Sequence, residues 1–353
     1  MGGVETFIKN TTLYSDKDQV QFHFLIHGSK ECLFQNEICE FYKTNHFYFL
    51  PRFRSEPLKT IRRLQEFYKD HHDFDFIHLE TGAASEIVYC YPYARKYGIK
   101  LIVHSHNGGN LQSFVMHQLF VPVINRVADI RLACSQIAAQ YMFGKKYADS
   151  ICIIPVGIDI DKFRFSTQKR EAFRSSYGVK KNQLVIGTVG RFTKQKNQKY
   201  ALKIFMEILS RFIDAILILK GQGELEEELR TFINKAGIMD RVHIINRLNN
   251  MDELYCGLDV FLMPSLFEGL PQVAVEAQAS GLPCFFSDTI SKETDLTRNN
   301  MFLSLEAPCA IWADKIIASQ GKTNDRKDGY ELVKERGYDI HDTVKKLEDI
   351  YLL

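Results

Sequence analysis

At 353 residues the chain is too long for a single hydrophobic core and suits two domains, and its 45% hydrophobic and 25% charged content is that of a soluble globular enzyme. Lys and Arg number 45 against 43 Asp and Glu, a formal net charge of +2 that makes no case for bulk nucleic-acid binding. The eight cysteines form no C-x-x-C pair and fit a reduced cytoplasmic thiol set better than disulfides or zinc; no secretory signal and no membrane-spanning apolar run is present, which leaves peripheral membrane association open.

The chain opens Met1-Gly2-Gly3-Val4-Glu5. A doubly wound domain opens with a strand, then a glycine turn and a helix. Here the glycine turn comes first, so the first strand of the N-terminal domain is expected to be missing. Apolar runs of strand length follow at 20–27, 74–79, 100–103, 130–134 and 151–156, then at 184–189, 215–220, 242–245, 260–263, 283–286 and 301–305. Most do not alternate, as expected of strands buried on both faces. Amphipathic segments at 58–68, 199–212 and 225–235 predict helices between them, and 339–353 predicts a closing helix. This rhythm predicts an α/β fold of two doubly wound, Rossmann-like domains facing each other across a cleft. The polar stretch 161–182 shows no strand and is read as the linker. The expected division is an N-terminal domain over 1–165, a C-terminal domain over 166–338, and a helix over 339–353 packing back on the first domain.

Several clusters carry chemistry. Arg52, Arg54, Lys59, Arg62 and Arg63 lie beside the apolar residues Leu58, Ile61 and Leu64. They suit an anionic membrane or a phosphate-bearing acceptor, or else a solvated helix face. His104 and His106 share one face of a strand end and are expected to point into the cleft. As a metal pair they lack a third ligand at suitable spacing; structural histidines or substrate contact by His106 are the other readings. Asp16/Asp18, Asp73/Asp75 and Asp159/Asp161 read as turn residues rather than Mg²⁺ ligands.

Two motifs in the second half are more specific. In Gly190-Arg191-Phe192-Thr193-Lys194-Gln195-Lys196-Asn197, a glycine ends a strand, and two cations bracket the loop into a helix that begins near Asn197. A guanidinium, an ammonium and a helix N-terminus converging on one spot suit a diphosphate; an exposed basic loop is the alternative. Gly221-Gln222-Gly223 is weak by itself. The segment 264–277 then sets Glu268 in a loop leaving a buried strand and Glu276 about two turns inside the following helix. With an uncapped helix N-terminus between them, the pair can grip a polyhydroxylated ligand that carries an anion.

Taken together these residues resemble family 4 of the glycosyltransferases, retaining enzymes of the GT-B fold, over nearly the whole chain. The resemblance rests on Gly2-Gly3-Val4-Glu5, Val103-His104-Ser105-His106-Asn107, Ile154-Pro155-Val156-Gly157-Ile158-Asp159, Gly190-Arg191 with Lys196, Gly221-Gln222-Gly223, and the Glu268/Glu276 pair. It implies that Arg191 and Lys196 bind and stabilise the donor diphosphate, that Glu276 holds the ribose, and that Glu268 contacts the donor sugar. It also implies that backbone amides of Gly269, Leu270, Pro271 and Gln272 line the sugar and phosphate, that His106 lines the reacting centre, that Gly2 and Gly3 approach the phosphates and acceptor, and that Arg247 and Leu248 lie by the base. Asn246 stands where the family usually has glycine. The implied function is transfer of a sugar from a nucleotide-sugar, UDP-sugar favoured, to a glycan or lipid-linked acceptor, with retained configuration and without cofactor or metal, in capsule or exopolysaccharide synthesis at the inner face of the membrane. The alternatives are an inactive nucleotide-sugar- or glycan-binding subunit and an NAD-dependent oxidoreductase, the latter lacking a G-x-G-x-x-G after a strand.

Overall fold

The computed structural model describes residues 3–28, 32, 34–108, 114–211, 214–248, 250–320, 326 and 328–353. The chain divides into two compact units, Met1–Gly157 with Ile340–Leu353, and Ile158–Asp339. The division falls at Gly157, ahead of the boundary expected at 165.

In unit 1 the elements run α1 (Gly3–Tyr14), β1 (Phe24–His27), α2 (Gln35–Tyr42), β2 (Phe47–Leu50), α3 (Pro57–Asp70), β3 (Phe76–Thr81), α4 (Tyr91–Tyr97), β4 (Lys100–Ser105), α5 (Phe114–Val127), β5 (Ile130–Ala133), α6 (Gln136–Phe143), α7 (Lys145–Ala148) and β6 (Cys152–Ile153). The described strands pair as two parallel sheets, β1-β2 and β3-β4-β5-β6. The strand β2 is absent from the sequence expectation because Phe47-Tyr48-Phe49-Leu50 is short, although its aromatic content suits a strand. Gly3 is the first residue of a helix and a Cβ there would meet nothing within 4 Å, so no glycine-specific turn exists at that position. Gly2 lies outside the described residues.

Unit 2 continues with α8 (Thr167–Ser176), β7 (Leu184–Val189), α9 (Gln198–Leu209), β8 (Ala215–Lys220), α10 (Glu226–Lys235), β9 (Val242–Ile245), α11 (Met251–Gly257), β10 (Val260–Met263), α12 (Gln272–Ala279), β11 (Cys284–Ser287), β12 (Asn300–Leu303), α13 (Cys309–Ala318) and α14 (Asp328–Glu335). The final helix α15 (Ile340–Tyr351) returns to unit 1. There Gly157 allows its close approach, since a Cβ would sit 2.4 Å from Thr343 Oγ1, and that hydroxyl donates to Pro155 O at 3.2 Å. The glycine of the Pro155-Val156-Gly157 motif is thus required by packing.

The six described strands of unit 2 are parallel, in the order β12-β11-β10-β7-β8-β9. Alternate residues feed opposite faces, as the strand period requires. Val185 and Val189 of β7, Ile216 and Ile218 of β8, and Phe261 and Met263 of β10 join one core. Leu184 and Ile186, Leu217 and Leu219, and Val260 and Leu262 join the other. A sheet covered on both faces needs apolar residues at every position, which is why these runs do not alternate in sequence. Burying each such side chain contributes about 1.5–3 kcal/mol.

The segment 161–182 is not a linker. It carries α8, capped by Ser166 accepting from Lys169 N at 3.3 Å, and the helix packs against α11. Its polar pattern hides the buried Arg174 and the half-buried Arg170. Arg174 donates to Gly257 O at 3.0 Å, and Arg174 and Arg170 both reach Asp259, whose Oδ2 also accepts Val185 N at 2.8 Å. Burial lowers the Arg174 pKa and Asp259 opposes that shift. Asp259→Ala strands two partly buried guanidiniums, so it is expected to cost about 3–5 kcal/mol, read as the midpoint of urea unfolding. A cost below about 1 kcal/mol, the size of an exposed pair, would refute this.

Candidate functional site

The strand order of unit 2 reverses between β7 and β10. From β7 the chain winds outward through β8 and β9; it then returns to β10 on the other side of β7 and winds through β11 and β12. Loops leaving two adjacent strands diverge at such a point and leave a crevice at their carboxyl ends, where ligands of this fold class bind. The loop after β7 holds Arg191 and Lys196, and the loop after β10 holds Glu268.

These loops are tied together. Leu266 N donates to Gln195 O at 2.8 Å, Gln195 Nε2 to Phe267 O at 3.0 Å, and Asn197 Nδ2 to Pro264 O at 3.1 Å. Asn197 is left-handed, with φ of 55°, a conformation asparagine tolerates, and α9 starts one residue later. Lys196 Nζ lies 2.6 Å from Glu268 Oε1, an ion-pair contact without hydrogen-bond alignment. Arg191 is exposed, and among the described residues no carboxylate pairs with it.

The glycines of the neighbouring turns are structural. Gly221 has φ of 154°, and a Cβ there would stand 2.0 Å from Gly190 O; one on Gly223 would stand 2.5 Å from Phe192 O. Gly190 N donates to Lys220 O and Phe192 N to Gln222 O. Gly221-Gln222-Gly223 therefore acts as the floor on which the Arg191 loop lies.

Glu276 is the fifth residue of α12, about one turn inside the helix rather than two, because the helix starts only at Gln272. Pro271 precedes it with no side-chain cap, so the first-turn N–H groups find no side-chain partner at that position. Gly269 and Leu270 form the bend leading in, and Leu270 packs on the core. The Glu276 carboxylate accepts from the buried Tyr255 hydroxyl at 2.8 Å. Burial pushes its pKa up to about 7, against the opposing pull of Tyr255 and Lys162. Tyr255 is a partner that sequence spacing does not reveal, since it comes from α11.

Arg247 is exposed and Leu248 packs at the core edge, in the loop after β9. The side chain of Asn246 finds a use that glycine would not: Nδ2 donates to Glu226 Oε1 at 3.1 Å, and Glu226 also pairs with Arg230.

In unit 1, His106 does not stand open. Its side chain is 3% exposed, lies under Phe7 with ring centroids 5.0 Å apart, and its Nε2 is 2.5 Å from Glu80 Oε2. Burial opposes a charge on His106, but Glu80 raises its pKa well above the ordinary value. Glu80 is raised by burial, yet the surrounding histidines hold it well below the usual carboxylate range. Sequence spacing from His104 misses Glu80 because it arrives on β3, paired in register with His104.

Arg52, Arg54, Lys59, Arg62 and Arg63 are exposed; Lys59 pairs with Glu56 at 2.7 Å, and Arg62 and Arg63 with Glu66. Leu64 is buried, but Leu58 is 83% and Ile61 39% exposed beside them. No described helix is long and apolar enough to cross a membrane. Among the described residues the cysteines are free.

Comparison with known proteins shows the family of the chain. Residues 1–162 match the family model described as Glycosyltransferase Family 4, and residues 169–303 match Glycosyl transferases group 1. The chain is 30% identical over 365 residues to the putative glycosyltransferase EpsF of Bacillus subtilis, covering 99% of this chain and 93% of that protein. It is 26% identical over 322 residues, 84% of this chain and 80% of that protein, to the Escherichia coli UDP-Gal:alpha-D-GlcNAc-diphosphoundecaprenol alpha-1,3-galactosyltransferase. The structure of Anabaena Alr3699/HepE in complex with UDP-glucose superposes with a TM-score of 0.79 at 19% identity, covering 100% of this chain and 97% of that one. With both family models matched in order and EpsF aligned end to end, the chain belongs to the family 4 glycosyltransferases and is a glycosyltransferase of the GT-B fold class.

Proposed function

We propose that this enzyme transfers a sugar from a UDP-sugar to a lipid-linked glycan, with retention of the anomeric configuration, in the assembly of a cell-surface polysaccharide. The observation that carries the reading is the pairing of two loops at the reversal of the unit 2 sheet, with Arg191 and Lys196 on one and Glu268 and the N-terminus of α12 on the other. Support for the donor and acceptor comes from the relatives: the Escherichia coli protein is named for UDP-Gal and a diphosphoundecaprenol acceptor, and the Anabaena structure holds UDP-glucose.

In this reading Arg191 and Lys196 neutralise the charge that builds on the departing UDP as the sugar becomes oxocarbenium-like. Backbone N–H groups of the Gly269–Gln272 bend add to that field, where Pro271 contributes position and no donor. Glu276 accepts the ribose hydroxyls, Arg247 and Leu248 lie by the uracil, and Glu268 accepts a hydroxyl of the sugar while holding Lys196. The acceptor hydroxyl attacks from the face the leaving group departs, and its proton passes to the departing phosphate oxygen. The C–O bond to UDP breaks as the new glycosidic bond forms. No Mg²⁺ or Mn²⁺ bridging the diphosphate is required, because the fixed cations do that work.

A thermal-shift screen of UDP- and GDP-sugars, followed by transfer to a polyprenyl-diphosphate-linked acceptor, tests the reading. One UDP-sugar is expected to stabilise the protein and to give product with retained configuration. Stabilisation by GDP-sugars alone, inverted product, or strict dependence on added Mg²⁺ would overturn the respective part.

The basic patch of α3 is proposed to hold the enzyme on the inner face of the membrane, where such acceptors lie. Reversing three charges in Lys59→Glu, Arg62→Glu, Arg63→Glu is expected to weaken binding to phosphatidylglycerol vesicles by about 1 kcal/mol per residue, and the wild-type affinity is expected to fall with salt. Equal sedimentation of variant and wild type with vesicles would refute it.

A further inference from the structure

We propose that His78, Glu80 and His104 form a buried site for a zinc-class divalent cation in unit 1. The inference is independent of the glycosyl-transfer reading and concerns a different unit from the donor loops. Strands β3 and β4 run parallel with Glu80 opposite His104, so His78, Glu80, His104 and His106 fall on one face of adjacent strands. One ligand atom from each of His78, Glu80 and His104 lies within 4.8 Å of the others. His78 Nε2 is 3.4 Å from Glu80 Oε1, and His104 Nδ1 is 3.2 Å from Glu80 Oε2. Ligands about 2.0–2.1 Å from a tetrahedral ion stand about 3.3 Å apart, and the two histidine–Glu80 contacts, one to each carboxylate oxygen, are of that size.

The second observation is the state of the nitrogens. His104 is fully buried, and neither Nδ1 nor Nε2 makes a hydrogen bond; His78 Nε2 makes none either. Buried imidazole nitrogens almost always find a partner, so three without one in a single cluster need an account. His78 Nδ1 meets the Tyr351 hydroxyl at 2.5 Å. With that N–H donating to Tyr351, the Nε2 lone pair faces the carboxylate with no proton between them. A cation between these atoms satisfies His78 Nε2 and His104 Nδ1, the two nitrogens that face Glu80. Two neutral imidazoles and a carboxylate are a typical zinc donor set, and Tyr351 and His106 then serve as outer partners, of a His ligand and of the Glu80 carboxylate respectively. Phe7 covers the cluster, edge-on to His104 at 5.3 Å.

Of the pair His104 and His106 that the sequence offers, only His104 is a ligand; β3 supplies the other two, Glu80 and His78, from 24 and 26 positions earlier in the chain through the sheet register.

The test uses the full chain, stripped with chelator and titrated with Zn²⁺ against a chromophoric competitor, then with Co²⁺ in the visible range. One ion per chain is expected, with the intense visible bands of tetrahedral Co²⁺. His78→Gln and His104→Asn are expected to abolish both signals, and Tyr351→Phe, which removes only the outer partner, to weaken Zn²⁺ binding about tenfold or more. Circular dichroism checks that each variant is folded, and if the histidine variants unfold, the Tyr351→Phe affinity decides. Absence of stoichiometric Zn²⁺ binding to the wild type, an octahedral Co²⁺ spectrum, or affinities unchanged across the folded variants would overturn the proposal.

Discussion

Arg191→Ala combined with Lys196→Ala is expected to reduce kcat for sugar transfer at least about 10³-fold while leaving the protein folded. Each preorganised donor aimed at charge that develops in the transition state contributes about 10²–10³ in rate, roughly 3–4 kcal/mol. In the proposed function the two cations serve the same departing diphosphate, so the double loss is expected to fall short of the product of the single losses. The fold is expected to survive because Arg191 is exposed and Lys196 is held by one ion pair, with Glu268, rather than by the core. That pair has a further consequence. In the free protein Glu268 is the counterion of Lys196, and an incoming diphosphate shares the ammonium with it. Lys196→Arg keeps the charge and is expected to retain more activity than Lys196→Ala. Full transfer by the double alanine variant, with retained circular dichroism, would sink the diphosphate role.

Donor binding is expected to release a proton from Glu276 below neutral pH. The Glu276 pKa is raised to about 7 in the free protein because its carboxylate is buried, against the lowering pull of the Tyr255 hydroxyl. Such a carboxyl binds its proton more tightly folded than unfolded. Its contribution to stability is therefore present below the ordinary carboxylate range and is lost as pH rises through about 7. In the proposed function ribose hydroxyls donate to the ionised form, so a nucleotide-sugar is expected to lower that value on binding. At about pH 6 most molecules hold the proton, and close to one proton per donor is expected to leave on binding. Calorimetry in two buffers of different ionisation enthalpy reads this directly; the diphosphate of a nucleotide-sugar is esterified at both ends and does not titrate there. Donor affinity is expected to fall up to tenfold per pH unit below 7. Glu276→Gln is expected to bind donor about tenfold to a hundredfold more weakly, losing charge-assisted hydrogen bonds, and to release no proton. Proton release that persists in Glu276→Gln would place the titrating group elsewhere.

The parts of the site differ in how far they can be read from the linear chain. The loop after β7 and the loop after β10 are each visible as local patterns, because a strand, a turn glycine and charged residues lie within a dozen positions of one another. Their convergence is not local. It depends on β10 pairing with β7 rather than with β9, and on backbone bonds from Gln195 and Asn197 to the far loop. The depth of Glu276 in its helix is misjudged from sequence because Gly269, Leu270 and Pro271 delay the helix start. The segment 161–182 is misread as a linker because composition counts Arg170 and Arg174 as solvated, whereas Asp259 and the Gly257 carbonyl bury them in α8.

By itself the sequence determined the α/β class, the bounds of β7, β8, β9 and β10, and the residue types that could meet a diphosphate and a polyol. Apolar runs and turn residues report local burial and local dihedral demands, and these need no partner to be seen. Only the tertiary structure decided which loops share a crevice, that Glu276 rests on Tyr255, that Gly221 is required by the Gly190 carbonyl, and that Glu80 joins His78, His104 and His106 in one buried cluster. Each of these depends on strand order or register. Those are set by packing across the whole sheet, between residues that the linear chain holds far apart.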